Sequence, residues 1–258
     1  MSNLENSLLY KIALIADPNH SFISFGPKLI PLNLLINIQK AGTIFVMFLL
    51  MVYCNNYSLG AWVYLSLHGT YGIIWILKDC IFPDKTFKQL VTIPVAFLIS
   101  IVLVMYWGIG FLMIFGCGDQ NPSPRRIFLS MFVFTLGLFF MVCTDLQKFI
   151  ILSHKKGLID TYFLARNRNT NYMGEMMIYF SFVFITNHII GYLIVIAIWI
   201  SLFSCRMYLK EVSLSKKEGY KHYKENSYLF LFKIVDSDIG NIIIYSIILL
   251  LFILVLYI

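Results

Sequence analysis

Four polar side chains share one face of a predicted helix around residue 175. Asn171 and Tyr172 precede Glu175 by four and three residues, and Tyr179 follows it by four, which places an amide, a carboxylate and two phenols in one stripe. A carboxylate in the middle of a membrane costs at least about 2.5 kcal/mol, so it needs a partner or a purpose. We expect the stripe to face the interior of a helix bundle. Gly174 beside it would permit close approach of a backbone or a ligand.

A second acid, Asp145, also lies in an apolar stretch, and Lys148 follows it by one helical turn. The two side chains can therefore pair on one helix face. Both acids also have a structural explanation. Asp145 and Lys148 could form a boundary ion pair that reaches the membrane interface, and Glu175 could be favoured by the dipole at the start of its helix.

An aromatic stripe is predicted in an earlier segment. His68, Tyr71, Trp75 and Lys78 follow at spacings of three, four and three residues, which is again one helix face. The stripe could face a ligand, but helix packing explains it equally well.

The composition excludes a soluble protein. The 258 residues are 59% hydrophobic and 13% charged, with a mean hydropathy of +0.79, whereas soluble domains have about 25% charged residues. The chain has no GxGxxG, GxxxxGK[ST], HExxH or GxSxG motif, and its five cysteines show no CxxC spacing. No metal site is predicted.

Hydropathy predicts an all-α, polytopic membrane helix bundle with about seven transmembrane helices. A span needs about 20 apolar residues, and a long apolar run is divided at Thr186-Asn187-His188, which suits a turn. We expect an interfacial N-terminal segment at 1–30, a membrane domain at 31–238 and an additional C-terminal span at 239–258. The predicted spans are 32–54, 58–78, 90–116, 126–149, 172–186, 189–208 and 239–258.

The basic residues indicate an orientation. The odd-numbered connections between the seven predicted spans carry only two of the 20 Lys and Arg residues, Arg125 and Arg126. The others lie on the N-terminal side, to which Lys40 is assigned, and in the even-numbered connections. Basic loops stay on the cytoplasmic side, or on the matrix side in a mitochondrion. This explains the net charge of +7 without nucleic acid as a partner. We expect the endoplasmic reticulum or the mitochondrial inner membrane.

The basic loops also offer a place for an anion. Lys155 and Lys156 and the run 166–169 precede the helix that carries Glu175, and arginines beside a helix N-terminus can receive a phosphate or a carboxylate. Anionic lipid headgroups are the alternative ligand. Membrane lipids are expected partners of the protein whichever of these two ligands the basic loops bind.

Five stretches of the sequence carry a family resemblance, namely 68–84, 145–148, 156–159, 168–176 and 207–223. Together they resemble the C-terminal domain of the steroid 5-alpha-reductase family, in particular its uncharacterised bacterial and plant branch. The likeness covers roughly residues 60 to 232, and isoprenylcysteine methyltransferases share the wider architecture.

The resemblance implies a membrane reductase that transfers hydride from NADPH to a carbon–carbon double bond of a lipid or steroid-like substrate. It assigns Glu175, with Tyr172, to the catalytic site, where Glu175 would hold or protonate the substrate carbonyl. The implied cofactor-binding residues are Asp145, Lys148, Asn171, Tyr208 and Lys210.

A second class of protein is also consistent with the sequence. The chain could be a non-catalytic accessory subunit of a large membrane complex, such as a respiratory-chain assembly, that keeps the reductase fold. The predicted helix 239–258 has no ionisable residue apart from the tyrosines, so it could anchor the chain or pack against other membrane-protein subunits. A methyltransferase that uses S-adenosylmethionine is a third possibility.

Overall fold

The structure, a computed structural model, describes residues 7–15 and 24–257. These residues form an α-helical bundle, as the hydropathy predicts, with one short pair of strands, β1 (Lys28–Pro31) and β2 (Leu90–Thr92). The helices are α1 (Leu8–Ile15), α2 (Leu32–Tyr53), α3 (Leu59–Ile81), α4 (Ile93–Ile114), α5 (Pro124–His154), α6 (Thr170–Thr186), α7 (Ile189–Ile198), α8 (Ser204–Ser215), α9 (Tyr220–Asn226) and α10 (Asp238–Tyr257).

Five helical segments of the described chain are long and apolar enough to cross a membrane. They are α2, α4, α5, α10 and the continuous segment Ile189–Ser215, in which a π-helical turn, Trp199–Phe203, joins α7 to α8. The expected integral membrane protein is confirmed, while the count of seven spans stays a prediction. The other two predicted spans correspond to α3, which carries buried polar residues, and to α6, which at 17 residues is about 25 Å long.

The polar triplet between α6 and α7 forms the predicted turn. Asn187 has a positive φ of 52°, and the His188 side chain accepts a hydrogen bond from the Ile190 amide at 3.3 Å. The helix that follows continues to Ser215, seven residues beyond the predicted end at residue 208.

The predicted N-terminal segment 1–30 is described only in part, because residues 1–6 and 16–23 lie outside the described residues. Its described part contains α1, whose Ala13 is buried, and the start of β1. β1 pairs with β2 in antiparallel register, with Lys28 opposite Thr92 and Pro31 opposite Leu90. Strands of three or four residues are too short to be recognised beside long apolar helices, so this ribbon was not expected.

The chain divides into two compact units. The first unit contains the residues up to Pro122 together with Phe182–Ser213, and the second contains Ser123–Ser181 and Leu214–Ile258. Two of the three boundaries fall within α6 and α8, and the third lies just before α5.

In the first unit, α2 packs on α3 and α4. Gly72 of α3 lies against the Lys40 carbonyl of α2, where a Cβ atom would clash with backbone. At the other end of α2, Gln120 fastens the loop after α4. Its side-chain oxygen accepts hydrogen bonds from Asn56 at 2.8 Å and from Ser58 at 2.7 Å.

In the second unit, two glycines bring α5 and α6 into backbone contact. A Cβ atom on Gly174 would lie 2.5 Å from the Gly137 carbonyl oxygen and 2.6 Å from the Met141 amide nitrogen. One on Gly137 would lie 2.6 Å from the Gly174 carbonyl oxygen. The close approach permitted by Gly174 is therefore to the backbone of α5.

We expect Gly174→Ala to lower the free energy of unfolding by about 1–3 kcal/mol, because an extra methyl group must push two backbones apart. Loss of helical circular dichroism on heating in detergent measures the effect. Gly191→Ala is the matched control, since its Cβ would meet Val183 Cγ1 at an ordinary 3.6 Å. Equal thermal stability of the two variants would contradict the tight α5–α6 contact.

Candidate functional site

The α5–α6 contact sets the register of the residues predicted to do chemistry. Gly137 faces residues 174–178 and Met141 faces Gly174, so the two helices run antiparallel. Asp145 is one turn beyond Met141 on α5, and Asn171 is about one turn before Gly174 on α6. The two predicted cofactor-binding residues therefore lie at the same level of the helix pair.

Asp145 forms the predicted ion pair with Lys148. Lys148 Nζ lies 3.6 Å from Asp145 Oδ1, and the side chains are 23% and 11% exposed, respectively. The pair lies within α5, which continues to His154 and is longer than the predicted span 126–149. A partly buried pair of this kind is screened less by water than one on the surface.

Three buried oxygen atoms near this level have no hydrogen-bond partner in the described chain. They are Thr144 Oγ1, Asn169 Oδ1 and Asn171 Oδ1. Thr144 and Asn169 are completely buried, and burial of an unsatisfied polar atom costs about 1–3 kcal/mol. Such atoms suit a ligand that supplies hydrogen-bond donors.

The stripe on α6 is formed in part as expected. The Tyr179 hydroxyl donates to Glu175 Oε1 at 3.3 Å, and Tyr179 is buried while Glu175 and Tyr172 are partly exposed. The carboxyl group of Glu175 is thus held from one side by a phenol.

The remaining two predicted site residues, Tyr208 and Lys210, belong to α8 in the first unit. The Tyr208 hydroxyl is 2.5 Å from Ser7 Oγ. Their assignment to a cofactor stays a prediction.

The basic run 166–169 has a different environment from the anion receptor that was expected. The Arg168 side chain is 5% exposed, and its guanidinium donates to the Ser227 carbonyl and, at 3.0 Å, to Ser227 Oγ. The neighbouring amides Asn167 and Asn169 donate to the carbonyls of Phe230 and Leu229 at 2.7 and 2.8 Å. We call the contacts of 166–169 with 227–233 the polar clasp. It ties the entry of α6 to the segment before α10.

Two further contacts of the second unit involve charged groups outside the spans. Arg166 donates to Asp236 at 2.7 Å, and this hydrogen bond holds the pKa of the Asp236 carboxyl below its ordinary value. Burial lowers the pKa of Lys217, whose Nζ donates to the Gly157 carbonyl at 2.7 Å.

The aromatic stripe of α3 faces the interior of the first unit. His68 and Tyr71 are completely buried, and Trp75 and Lys78 are 6% and 5% exposed. His68 stacks on Phe182 with ring centroids 4.5 Å apart, so helix packing accounts for part of the stripe.

The stripe also surrounds a lysine that hydropathy and charge placement missed. Lys40 is 3% exposed, and its Nζ lies 4.3 Å from the Tyr71 ring centroid, 5.5 Å from that of Trp75 and 5.2 Å from that of Tyr106. Lys40 lies inside the predicted span 32–54, about 12 Å along α2 from Leu32, and its assignment to the N-terminal side stays a prediction. The signal in the sequence was a lysine inside an otherwise apolar segment.

These features define a polytopic α-helical membrane protein with polar side chains buried among its helices. The chain belongs to the family DUF1295, described as a protein of unknown function, which matches residues 83–229. That family is related to steroid 5-alpha-reductase-like membrane proteins. No curated protein and no solved structure matches the sequence.

Proposed function

We propose that the protein is a membrane reductase that uses NADPH to reduce a carbon–carbon double bond in a lipid or steroid-like substrate. The observation that carries the proposal is that the buried oxygens of Thr144, Asn169 and Asn171 have no hydrogen-bond partner within the described residues and, by the α5–α6 register, lie near the level of Asp145. The resemblance to the steroid 5-alpha-reductase C-terminal domain supplies the reaction class.

The hydrogen-bonding chemistry of these residues suits a nicotinamide cofactor. The three oxygens and the Asp145 carboxylate can accept hydrogen bonds, and a carboxamide group and ribose hydroxyls can donate them. Asp145 and Asn171 would hold the cofactor, with Lys148 fixing the orientation of Asp145. Bound NADPH would supply the hydride.

Glu175 would act on the substrate. A carboxyl group that donates a hydrogen bond to the substrate carbonyl stabilises the negative charge that develops there when the double bond is reduced. Tyr179 orients the carboxyl through its hydrogen bond to Oε1, and Tyr172 is on the same helix face.

NADPH binding to the purified protein, measured by the fluorescence of the reduced nicotinamide, tests the proposal. We expect Asn171→Ala and Thr144→Val to weaken binding about tenfold, since each removes an acceptor. Thr144→Val is especially informative, because the hydroxyl has no partner within the described chain and its loss should not weaken the fold. Asn121→Ala, at an exposed amide in the loop after α4, is the control.

Absence of NADPH binding by the wild type would contradict the proposal. It would favour the second candidate, a non-catalytic accessory subunit of a membrane complex. One observation supports that candidate: Asn241 is the buried residue of α10 in the described chain, so the apolar remainder of this helix is available to other subunits or to lipid.

A further inference from the structure

Asn241 is a buried polar residue one turn into α10, in the second unit. It is 2% exposed, and its side-chain oxygen accepts hydrogen bonds from the amides of Ile234 and Val235 at 2.7 and 3.1 Å. Its side-chain nitrogen donates to the carbonyls of Val235 and Ser237 at 2.7 and 2.8 Å and to the Tyr228 hydroxyl at 3.1 Å. All of these partners belong to the segment that precedes α10.

Two tyrosine hydroxyls strengthen the attachment of this segment to α10. Tyr245 donates to the Phe232 carbonyl at 2.8 Å. Tyr228 donates to the carboxylate of Asp238, the first residue of α10. α10 therefore holds the segment 228–235 at its start, in its middle and at its end. We call 228–235 the bridging segment.

The bridging segment also supplies the carbonyls that bind two asparagines of the polar clasp. Asn169 Nδ2 donates to the Leu229 carbonyl at 2.8 Å, and Asn167 Nδ2 donates to the Phe230 carbonyl at 2.7 Å. Asn167 Oδ1 in turn accepts from the Asn169 backbone amide at 2.8 Å. The side-chain amide of asparagine is planar, so the bond to Leu229 fixes the direction of Asn169 Oδ1, a buried acceptor with no partner in the described chain.

The two backbones are joined at the same place. The Arg168 amide donates to the Tyr228 carbonyl at 3.0 Å, and the Tyr228 amide donates to the Arg166 carbonyl at 3.2 Å. The run 166–169 leads directly into α6. A continuous chain of hydrogen bonds therefore connects Asn241 to an acceptor that is assigned to the cofactor.

We propose that Asn241 is a positioning residue for the cofactor site and that it acts on Asn169 through the bridging segment. Without Asn241, the bridging segment can shift away from α6, and the Asn169 amide loses the carbonyl that orients it. Its oxygen then no longer points to the place where a nicotinamide or ribose group would donate a hydrogen bond. The inference rests on the proposed reductase function, and it makes α10 a support of the cofactor site.

NADPH binding by the folded fraction of the purified protein, isolated by size-exclusion chromatography, tests the inference. We expect Asn241→Leu to raise the Kd at least about fivefold, because one hydrogen bond to the cofactor is no longer oriented. Tyr257→Phe, at a tyrosine of α10 that is 80% exposed, should leave the Kd unchanged. In an Asn169→Ala background, which lacks the oriented oxygen, Asn241→Leu should change the Kd by less than about twofold.

The comparison of the two backgrounds separates a positioning role from a structural one. A residue that only stabilises the fold weakens binding by the same factor with or without Asn169, or leaves the Kd of the folded fraction unchanged. Either result would overturn the inference while the reductase proposal stands.

Tyr228→Phe keeps the test decisive if Asn241→Leu does not fold. Phenylalanine has nearly the shape of tyrosine, so this variant removes the hydroxyl contacts with Asn241 and Asp238 and keeps the backbone pairing with 166–168. We expect the Kd to rise about threefold, and only while Asn169 is present. Absence of NADPH binding by the wild type would overturn the reductase proposal and this inference together, whereas an unchanged Kd in the variants would overturn the inference alone.

Discussion

Arg168→Ala is expected to lower the free energy of unfolding by at least about 3 kcal/mol. The side chain is 5% exposed, and its removal leaves the carbonyl and the hydroxyl of Ser227 without their donor inside the polar clasp. Each buried polar group left unsatisfied costs about 1–3 kcal/mol. For a protein of this size we expect the midpoint of thermal unfolding to fall by about 6–12 °C.

The neighbouring arginine provides the matched control for this experiment. Arg166 is 44% exposed and pairs with Asp236, which is 82% exposed, so Arg166→Ala should shift the midpoint by less than about 3 °C. Hydrogen exchange should localise the damage in the Arg168 variant to residues 227–233. A shift of less than about 3 °C in the Arg168 variant would show that the buried Arg168 contacts do not stabilise the second unit.

Glu175→Gln is expected to reduce kcat by about 10²–10³-fold while leaving the Kd for NADPH unchanged. This prediction rests on the proposed reductase activity. The amide of glutamine can still donate a hydrogen bond, but it cannot give up a proton to the developing oxygen anion, and loss of general acid catalysis typically costs about this much in rate. Glutamine has the same shape, and its amide oxygen can still accept the Tyr179 hydrogen bond, so the fold should be preserved.

Oxidation of NADPH in the presence of a panel of α,β-unsaturated ketones measures the effect. Glu218→Gln, at an exposed position of the second unit, is the control and should behave as the wild type. Turnover of the Glu175 variant within about twofold of the wild type would remove Glu175 from the catalytic site and leave the binding residues to be judged separately.

Periodicity and hydropathy predicted the helical architecture well, because a long apolar segment has few alternatives to a membrane-spanning helix. The turn at Asn187 and the Asp145–Lys148 pair could also be predicted, since both depend on residues close together in the sequence. The π-helical turn and the continuation of the helix to Ser215 could not be predicted, because helix ends in polar sequence depend on packing.

The polar clasp and the environment of Lys40 show the limit of reasoning from one sequence. Arg168 meets Ser227, which is 59 residues away, and Lys40 meets aromatic rings of both α3 and α4. Contacts over such separations leave no local pattern in the sequence. An arginine that donates hydrogen bonds to carbonyls of its own chain therefore cannot be distinguished, from the sequence alone, from one that binds an anion.

The burial of Lys40 has a consequence for how the protein enters a bilayer. A lysine at the centre of a span adds about 2.5–3.5 kcal/mol to the free energy of insertion, so α2 is a poor membrane anchor by itself. Tyr71 and Trp75 of α3 cover the ammonium group, and only residues 54–58 separate the two helices. Insertion of α2 and α3 together as a hairpin therefore shields a charge that stepwise insertion would expose to lipid.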